Sequence, residues 1–180
     1  GVFAQALYNA PIWSKYAERD RTDAKGWAPM PDYVPPDLVG LTPTAIDRED
    51  VEWRFTTEAP ADDWFKPEFN DSRWSKGVAG FGTEGTPGAK VRTVWNTSDI
   101  WLRRTFELPA DLSGDLSLNL HHDENATIYI NGVKAASVGG FNTGYDLFSM
   151  TDAARAALRP GRNSLAVHCH QSSGGQYIDV

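Results

Sequence analysis

The sequence lacks several features that would assign a function directly. Its 180 residues include one cysteine, Cys169, which excludes an intrachain disulfide and a multi-cysteine zinc or iron–sulfur site. No apolar run reaches the roughly 18 residues of a membrane-spanning helix, and the N-terminus lacks the charged-then-apolar pattern of a signal peptide. We therefore expect a chain that neither spans a membrane nor carries its own export signal.

Positive charge is also scarce. Lys and Arg number 17 against 24 Asp and Glu, a net charge of −7, and the basic residues form no cluster of five or more. Nucleic acids and anionic membranes need such clusters to displace counterions. We therefore predict neither nucleic-acid nor membrane partners, whereas a neutral ligand such as a glycan is compatible with this charge.

Material for a packed core is abundant. Hydrophobic residues make up 41% of the chain, with 7 Trp, 6 Tyr and 8 Phe, far from the composition of disordered proteins. The length suits one domain, or one domain plus a tail. Both ends look cut, because Gly1 is not Met and Val180 falls within a predicted strand. We interpret the chain as a piece of a longer protein, with any signal peptide upstream.

The first part of the chain differs from the rest. Apolar residues near helical spacing predict two short helices over residues 2–9 and 11–20. Four prolines then fall within the eight residues 29–36, a density that neither a helix nor a central strand tolerates. We predict that residues 1–47 are a helical and Pro-rich leader, the end of an upstream domain plus a linker, and that the main domain covers 48–180.

Alternating apolar and polar residues dominate the main domain, which is the pattern of strands with one buried face. It is present at residues 51–56, 99–107, 115–121, 125–130, 133–138 and 164–170. Asn131-Gly132 supplies two positive-φ residues and predicts a type I′ hairpin turn. One helix is predicted from Thr151 to Leu158, with Thr151 as its N-cap. This pattern indicates a mainly β protein, an antiparallel β-sandwich.

Three segments in order resemble a known module. They are residues 64–74 followed by Gly80-Phe81-Gly82, residues 99–106, and residues 126–133, and a later strand entry at 161–167 fits the same pattern. Together they are similar to the galactose-binding-like jelly roll, the fold of the sugar-binding domain of glycoside hydrolase family 2. The resemblance implies a jelly-roll sandwich that serves either as a sugar-binding module or as a spacer in a secreted or periplasmic hydrolase.

The leader has a second resemblance. Residues 1–7, 12–20 and 27–31 are similar to the C-terminal end of the catalytic domain in the glutaminase A-like family. This resemblance implies that amidase chemistry resides in residues upstream of this chain, and that the sandwich is a C-terminal domain.

A sugar site combines an exposed aromatic platform with polar groups that bind hydroxyls. Trp95 lies in a polar stretch and Tyr145 follows a Gly-rich loop, so both are candidate platforms, with core packing as the alternative. The predicted polar rim consists of Asp123, Glu124, His170, Gln171 and Gln176.

Two metal sites are weaker hypotheses. His168 and His170 share one face of a predicted strand, and with His121 or Asp123 from a neighbouring strand they could bind zinc; hydrogen-bonded structural histidines are the alternative. A structural calcium ion could be held by Asp62, Asp63, Asn70 and Asp71, unless these are solvated turn residues.

Catalytic signals are few. The adjacent carboxylates of Asp123 and Glu124 would point in opposite directions in a strand, Cys169 would point away from its flanking histidines, and a Gly-x-Ser-x-Gly elbow is absent. We therefore expect a non-catalytic accessory domain that needs no cofactor. Its expected partners are a glycan and an upstream catalytic domain of the same chain. The alternatives are a structural module without a ligand and the C-terminal structural domain of a glutaminase A-like amidase.

Overall fold

Two β-sheets pack face to face in the computed structural model, which describes residues 39–111 and 114–180. The predicted helices over 2–9 and 11–20 and the Pro-rich segment 29–36 lie outside these residues. Residues 40–180 form one compact unit. No helix in the described ranges is long and apolar enough to cross a membrane.

The described residues form eleven strands and one short helix. In chain order these are β1 (Glu52–Thr56), β2 (Ser75–Val78), β3 (Phe81–Gly82), β4 (Thr93–Val94), β5 (Asp99–Leu108), β6 (Ser117–Asp123), β7 (Asn125–Ile130), β8 (Val133–Val138), β9 (Asp146–Ser149), α1 (Asp152–Ala157), β10 (Gly161–His170) and β11 (Tyr177–Asp179). One sheet has the order β2-β1-β5-β10-β7-β8, and the other has the order β4-β3-β11-β6-β9. All pairings are antiparallel except that of β3 with β4. The predicted antiparallel β-sandwich is confirmed.

The core lies between the sheets and follows the predicted alternation. Ile100 and Leu102 of β5, with Val167 and Cys169 of β10, are at most 1% exposed. Each fully buried side chain of this size contributes about 1.5–3 kcal/mol relative to exposure. Trp53 is also buried, as expected from its place in an alternating strand.

The segment between β1 and β2 covers part of the outer face of the six-stranded sheet. Phe65 stacks on Tyr129 with ring centroids 4.5 Å apart. Arg103 points outward from β5, donates from Nε to Asp71 Oδ2 at 2.9 Å and also donates to the Trp64 carbonyl. The motif at residues 64–74 therefore shields the sheet surface with aromatic rings and satisfies a buried guanidinium group.

Two local predictions are confirmed in detail. Asn131 and Gly132 have φ values of 48° and 81°, and Ile130 pairs with Val133 across the turn. Thr151 caps α1, because its hydroxyl accepts a hydrogen bond from the Ala154 N–H at 3.2 Å.

The buried side chain of Asn163 holds the start of β10 in place, which is the strand entry noted at residues 161–167. This side chain is 1% exposed, and its Nδ2 donates to the carbonyls of Arg159 at 2.7 Å and Gly161 at 2.8 Å. Its Oδ1 accepts from Asn131 Nδ2 at 2.7 Å and from the Arg159 N–H at 3.1 Å. One buried amide therefore joins the hairpin turn to the start of β10.

We expect Asn163→Ala to lower the free energy of unfolding by about 2–4 kcal/mol, because it leaves several buried polar groups without partners. Urea unfolding measures the loss. Asn119→Ala on β6 is the matched control: Asn119 is exposed, so a change within about 0.5 kcal/mol is expected. Equal losses in the two variants would contradict this role for Asn163.

Candidate functional site

Several connections meet at one end of the sandwich. We call them the end loops: residues 83–92, 95–98, 139–145 and 171–176, together with the junction between β6 and β7. Gly88 packs against the Thr143 carbonyl, and Gly175 packs beside Thr86. The Gln171 N–H donates to the Ser98 carbonyl at 2.7 Å. The end loops therefore contact one another and form a continuous surface.

Asp123 ends β6 in the middle of this surface. It is 6% exposed, yet none of the described residues donates a hydrogen bond to its carboxylate. Burial and then the neighbouring Glu124 carboxylate raise the pKa of Asp123, while His122 acts in the opposite direction. Neither carboxylate oxygen is among the fully buried atoms without a partner in the described residues, so both remain within reach of solvent or a ligand, and burying this side chain without a donor does not stabilise the fold.

Gly175 leaves room for this carboxylate. A Cβ at position 175 would lie 2.5 Å from Asp123 Oδ2 and 2.9 Å from Thr86 Cγ2. Any side chain would therefore close the space beside the carboxylate.

Gln171 adds a second acceptor near Gly175. Its Nε2 donates to the Gly175 carbonyl at 2.5 Å, and its Oε1 is buried without a hydrogen-bond partner among the described residues. Glu124 is half-buried beside the same loop, where its carboxylate accepts a hydrogen bond from the Ser172 hydroxyl. Three of the predicted rim residues, Asp123, Glu124 and Gln171, are therefore brought together, and each presents an acceptor.

Phe141 is the exposed aromatic side chain of this surface, and we did not select it from the sequence. It is 69% exposed, and its backbone pairs with Asp123 in an isolated antiparallel bridge. Its place in the sequence Gly139-Gly140-Phe141 is the signal that could have found it, because a large apolar residue between loop glycines lacks a strand partner that would bury it.

The structure does not support the proposed platforms. Trp95 is 1% exposed, and its Nε1 donates to the Thr97 hydroxyl at 3.0 Å and the Asp99 carbonyl at 3.2 Å. Tyr145 is half-buried, and its ring packs on His121 with centroids 5.6 Å apart. The alternative reading, core packing, therefore applies to Trp95, and Tyr145 lacks the exposed face of a platform.

The prediction of Gln176 as part of the polar rim is also not supported. It is 6% exposed, its Nε2 donates to the Thr97 carbonyl at 2.7 Å, and its N–H donates to the Thr86 hydroxyl at 2.9 Å. Its side chain and backbone therefore hold two end loops together.

His170 lies on the outer face of the six-stranded sheet, at the same end. Its Nδ1 and the Nε2 of His168 lie 2.9 Å and 2.8 Å from one oxygen, Asp99 Oδ1. Burial alone would raise the pKa of Asp99, but these two hydrogen bonds outweigh it and hold that pKa below its usual value. The Trp101 ring stacks on His168 at 4.7 Å, so this pair of histidines has structural partners.

His121 does not join them, because it lies in the five-stranded sheet and is fully buried. Within residues 39–111 and 114–180, no group of three His, Cys, Asp or Glu side chains is placed to hold a metal ion. The zinc hypothesis on His168 and His170, with His121 or Asp123 as the third ligand, therefore has no geometric basis among the described residues. Burial also raises the pKa of the Cys169 thiol, which does not favour a nucleophile.

Two of the four calcium candidates have other partners, and the other two are solvent-exposed. Asn70 Oδ1 accepts from the Ser72 N–H at 3.0 Å, and Asp71 pairs with Arg103. Asp62 and Asp63 are exposed. An open depression of about 430 Å³ lies beside them, lined by Pro60, Ala61, Asp63, Glu68, Phe69, Asn70, Arg73 and Trp74.

A buried polar cluster lies behind the end loops on the five-stranded sheet. Asp179 Oδ2 accepts from the Tyr145 hydroxyl at 2.5 Å and from the Ala45 N–H at 2.6 Å. Burial raises the pKa of both Asp179 and Tyr145. This cluster fixes the loop that carries Phe141.

Comparisons with known proteins support the fold. No protein-family model matches the sequence, and no curated protein gives a significant match. A glycosyl hydrolase family 2 member from Bacteroides cellulosilyticus DSM 14838 matches with 19% identity and a TM-score of 0.51, over 72% of this chain and 19% of that chain. A calcium binding mutant of Bacteroides uniformis β-glucuronidase 2 matches with 20% identity and a TM-score of 0.50, over 72% of this chain and 17% of that chain.

These matches show a β-sandwich like a domain-sized part of family 2 glycosidases. The chain spans less than a fifth of the length of either neighbour. The glutaminase A-like resemblance of the leader receives no support from the comparisons, and residues 1–38 lie outside the described part of the chain.

We expect Trp95→Ala to lower the free energy of unfolding by about 3–5 kcal/mol, because it leaves a large cavity. Phe141→Ala is the matched control on an exposed ring, with an expected change within about 0.5 kcal/mol. Thermal or urea unfolding of both variants checks this. A Trp95→Ala variant as stable as the parent would place that ring on the surface.

We expect Asp123→Asn to stabilise the chain at neutral pH and to lose this advantage in acid. The raised pKa means that folded Asp123 binds its proton more tightly than unfolded Asp123, so its contribution to stability falls as pH rises above about 4. Asn does not titrate. Unfolding free energies between about pH 4 and pH 8 test this, with Asp62→Asn as the exposed control. An advantage that grows as the pH falls would contradict the assignment.

Proposed function

We propose that this chain is a non-catalytic accessory β-sandwich of a larger secreted or periplasmic hydrolase, and that it binds carbohydrate on its end loops. The observation that carries the proposal is Asp123, a carboxylate that is 6% exposed and has no donor among the described residues. Folding alone does not favour such a group, whereas a bound hydroxyl would supply the missing hydrogen bond.

The polar groups of the site are suited to hydroxyl donors. Asp123 and the Oε1 of Gln171 are acceptors without partners in the described residues, and the Glu124 carboxylate lies beside the same loop as Gln171. Neighbouring hydroxyls on a sugar ring can donate to two or three acceptors at once. The acceptors therefore complement a polyol better than a carbonyl-rich ligand.

Phe141 provides the apolar half of the site. Its ring is 69% exposed, and its backbone is bridged to the backbone of Asp123. The apolar face of a pyranose packs on such a ring while its hydroxyls reach the polar edge. The combination of an exposed ring with unpartnered acceptors supports a sugar more than a metal ion.

The domain organisation is part of the proposal. Residues 48–180 would form the module, residues 40–47 are packed into the same compact unit, and the leader 1–47 would connect it to an upstream catalytic domain of the same chain. The family 2 neighbours, of which this fold matches under a fifth, support a hydrolase as the parent protein. The alternative is a structural domain without its own ligand, as in a glutaminase A-like amidase.

Affinity electrophoresis of the 180-residue chain in gels containing soluble polysaccharides tests binding. At least one polysaccharide should retard the chain, and Phe141→Ala should weaken its binding about tenfold, because the stacking contact is lost. Leu147→Ala on β9 is the control: Leu147 is an apolar side chain 52% exposed outside the end loops, and its retardation should equal that of the parent. If no polysaccharide retards the chain, the structural alternative is favoured; if Phe141→Ala is retarded as strongly as the parent, the binding site is not the end loops around Phe141.

A further inference from the structure

The charges of the end loops are unevenly distributed. Asp123 and Glu124 lie at the β6–β7 junction, and Glu84 is exposed on a neighbouring loop. The basic residues of the end loops are Lys90 and Arg92. Arg92 is held away by other groups, because its Nη2 donates to the Ala45 carbonyl at 3.0 Å and its Nη1 lies 3.4 Å from Glu49.

The two junction carboxylates influence each other. Glu124 is one of the causes that raise the pKa of Asp123, so the two charges are already unfavourable together. Asp123 is nearly buried, where repulsion between like charges is screened less than at an open surface. A third carboxylate on a ligand would add to this repulsion and would bring no donor to Asp123.

The hydrogen-bond acceptors of the site also disfavour a ligand that carries a carboxylate. A uronic acid replaces a hydroxymethyl donor with a carboxylate, which is an acceptor only. Asp123 and Gln171 Oε1 need donors. An acidic sugar would therefore lose a donor and gain a repulsive charge at the same position.

We propose that the end-loop site selects non-acidic sugars and rejects uronic acids, through the carboxylates of Asp123 and Glu124 beside Phe141. This proposal rests on glycan binding at the same site. The proposed selectivity also differs from what the name of one structural neighbour, a β-glucuronidase, indicates for that protein, namely action on a uronic acid.

Titration calorimetry with matched pairs of oligosaccharides tests the selection. Galactosides are compared with galacturonides, and glucosides with glucuronides, at low and high salt. We expect the neutral member of a pair to bind at least about tenfold more tightly at low salt. The ratio should shrink at high salt, because salt screens the repulsion.

The double variant Asp123→Asn, Glu124→Gln should bring the ratio close to one, since it removes the charges and largely keeps the shapes. Lys90→Ala is the control, because it removes a charge from the end loops without touching the two carboxylates. It should leave the ratio of neutral-sugar to uronide affinity unchanged. The unfolding free energy of each variant, measured in urea, shows whether it is folded before its ratio is interpreted.

The outcomes separate the two proposals. Binding through Phe141 with equal or greater affinity for uronides overturns the selection and leaves glycan binding intact. A ratio that survives in the folded double variant also overturns the selection. Absence of binding to every oligosaccharide overturns both proposals.

Discussion

The ten-residue antiparallel pairing of β5 with β10 is the interaction on which the other features depend. It runs without interruption from Gly161 opposite Leu108 to His170 opposite Asp99. Because the side-chain period is two, a shift by one residue would move every core side chain of either strand to the outer face. The same register brings Gln171, directly after β10, to the loop before β5, where its N–H reaches the Ser98 carbonyl. Core and end loops are therefore positioned by one ladder.

Buried polar side chains at the two ends of the sandwich differ in how fully their hydrogen bonds are satisfied. At one end, Asn163 uses both its donor and its acceptor atoms on backbone and side-chain partners. At the other, Asp123 has no donor within the described residues. Folded proteins pair nearly all their buried polar groups, and exceptions tend to coincide with functional positions. Within the described residues, buried atoms without a partner also occur at His121, Asp179, Trp53 and Arg104, so our proposal of a ligand at the end loops depends on the combination of Asp123 and Gln171 with the exposed Phe141 ring.

Local chemistry accounts for the parts of the fold that could be predicted. The Asn131-Gly132 turn, the Thr151 cap and the longer strands each depend on residues close together in sequence. Strands of two residues, such as β3 and β4, are too short to show a period and were missed. The sequence predicts Trp95 as a sugar platform with core packing as the alternative, and the structure buries it in the core, because a polar stretch of sequence does not reveal which distant residues cover its indole.

Alternation, turn residues and motif order in the sequence by themselves determined the β-sandwich, because they act over a few residues and are set by backbone geometry. The side-chain chemistry of Asp123, Glu124 and Gln171 also identified them in the sequence as candidates for the polar rim of a sugar site. Only the tertiary structure decided which of these groups lack partners, and that Phe141 is the exposed ring. The space around the Asp123 carboxylate depends on Gly175, beside which Thr86 also lies; these residues are distant in sequence and meet only when the five-stranded sheet has formed.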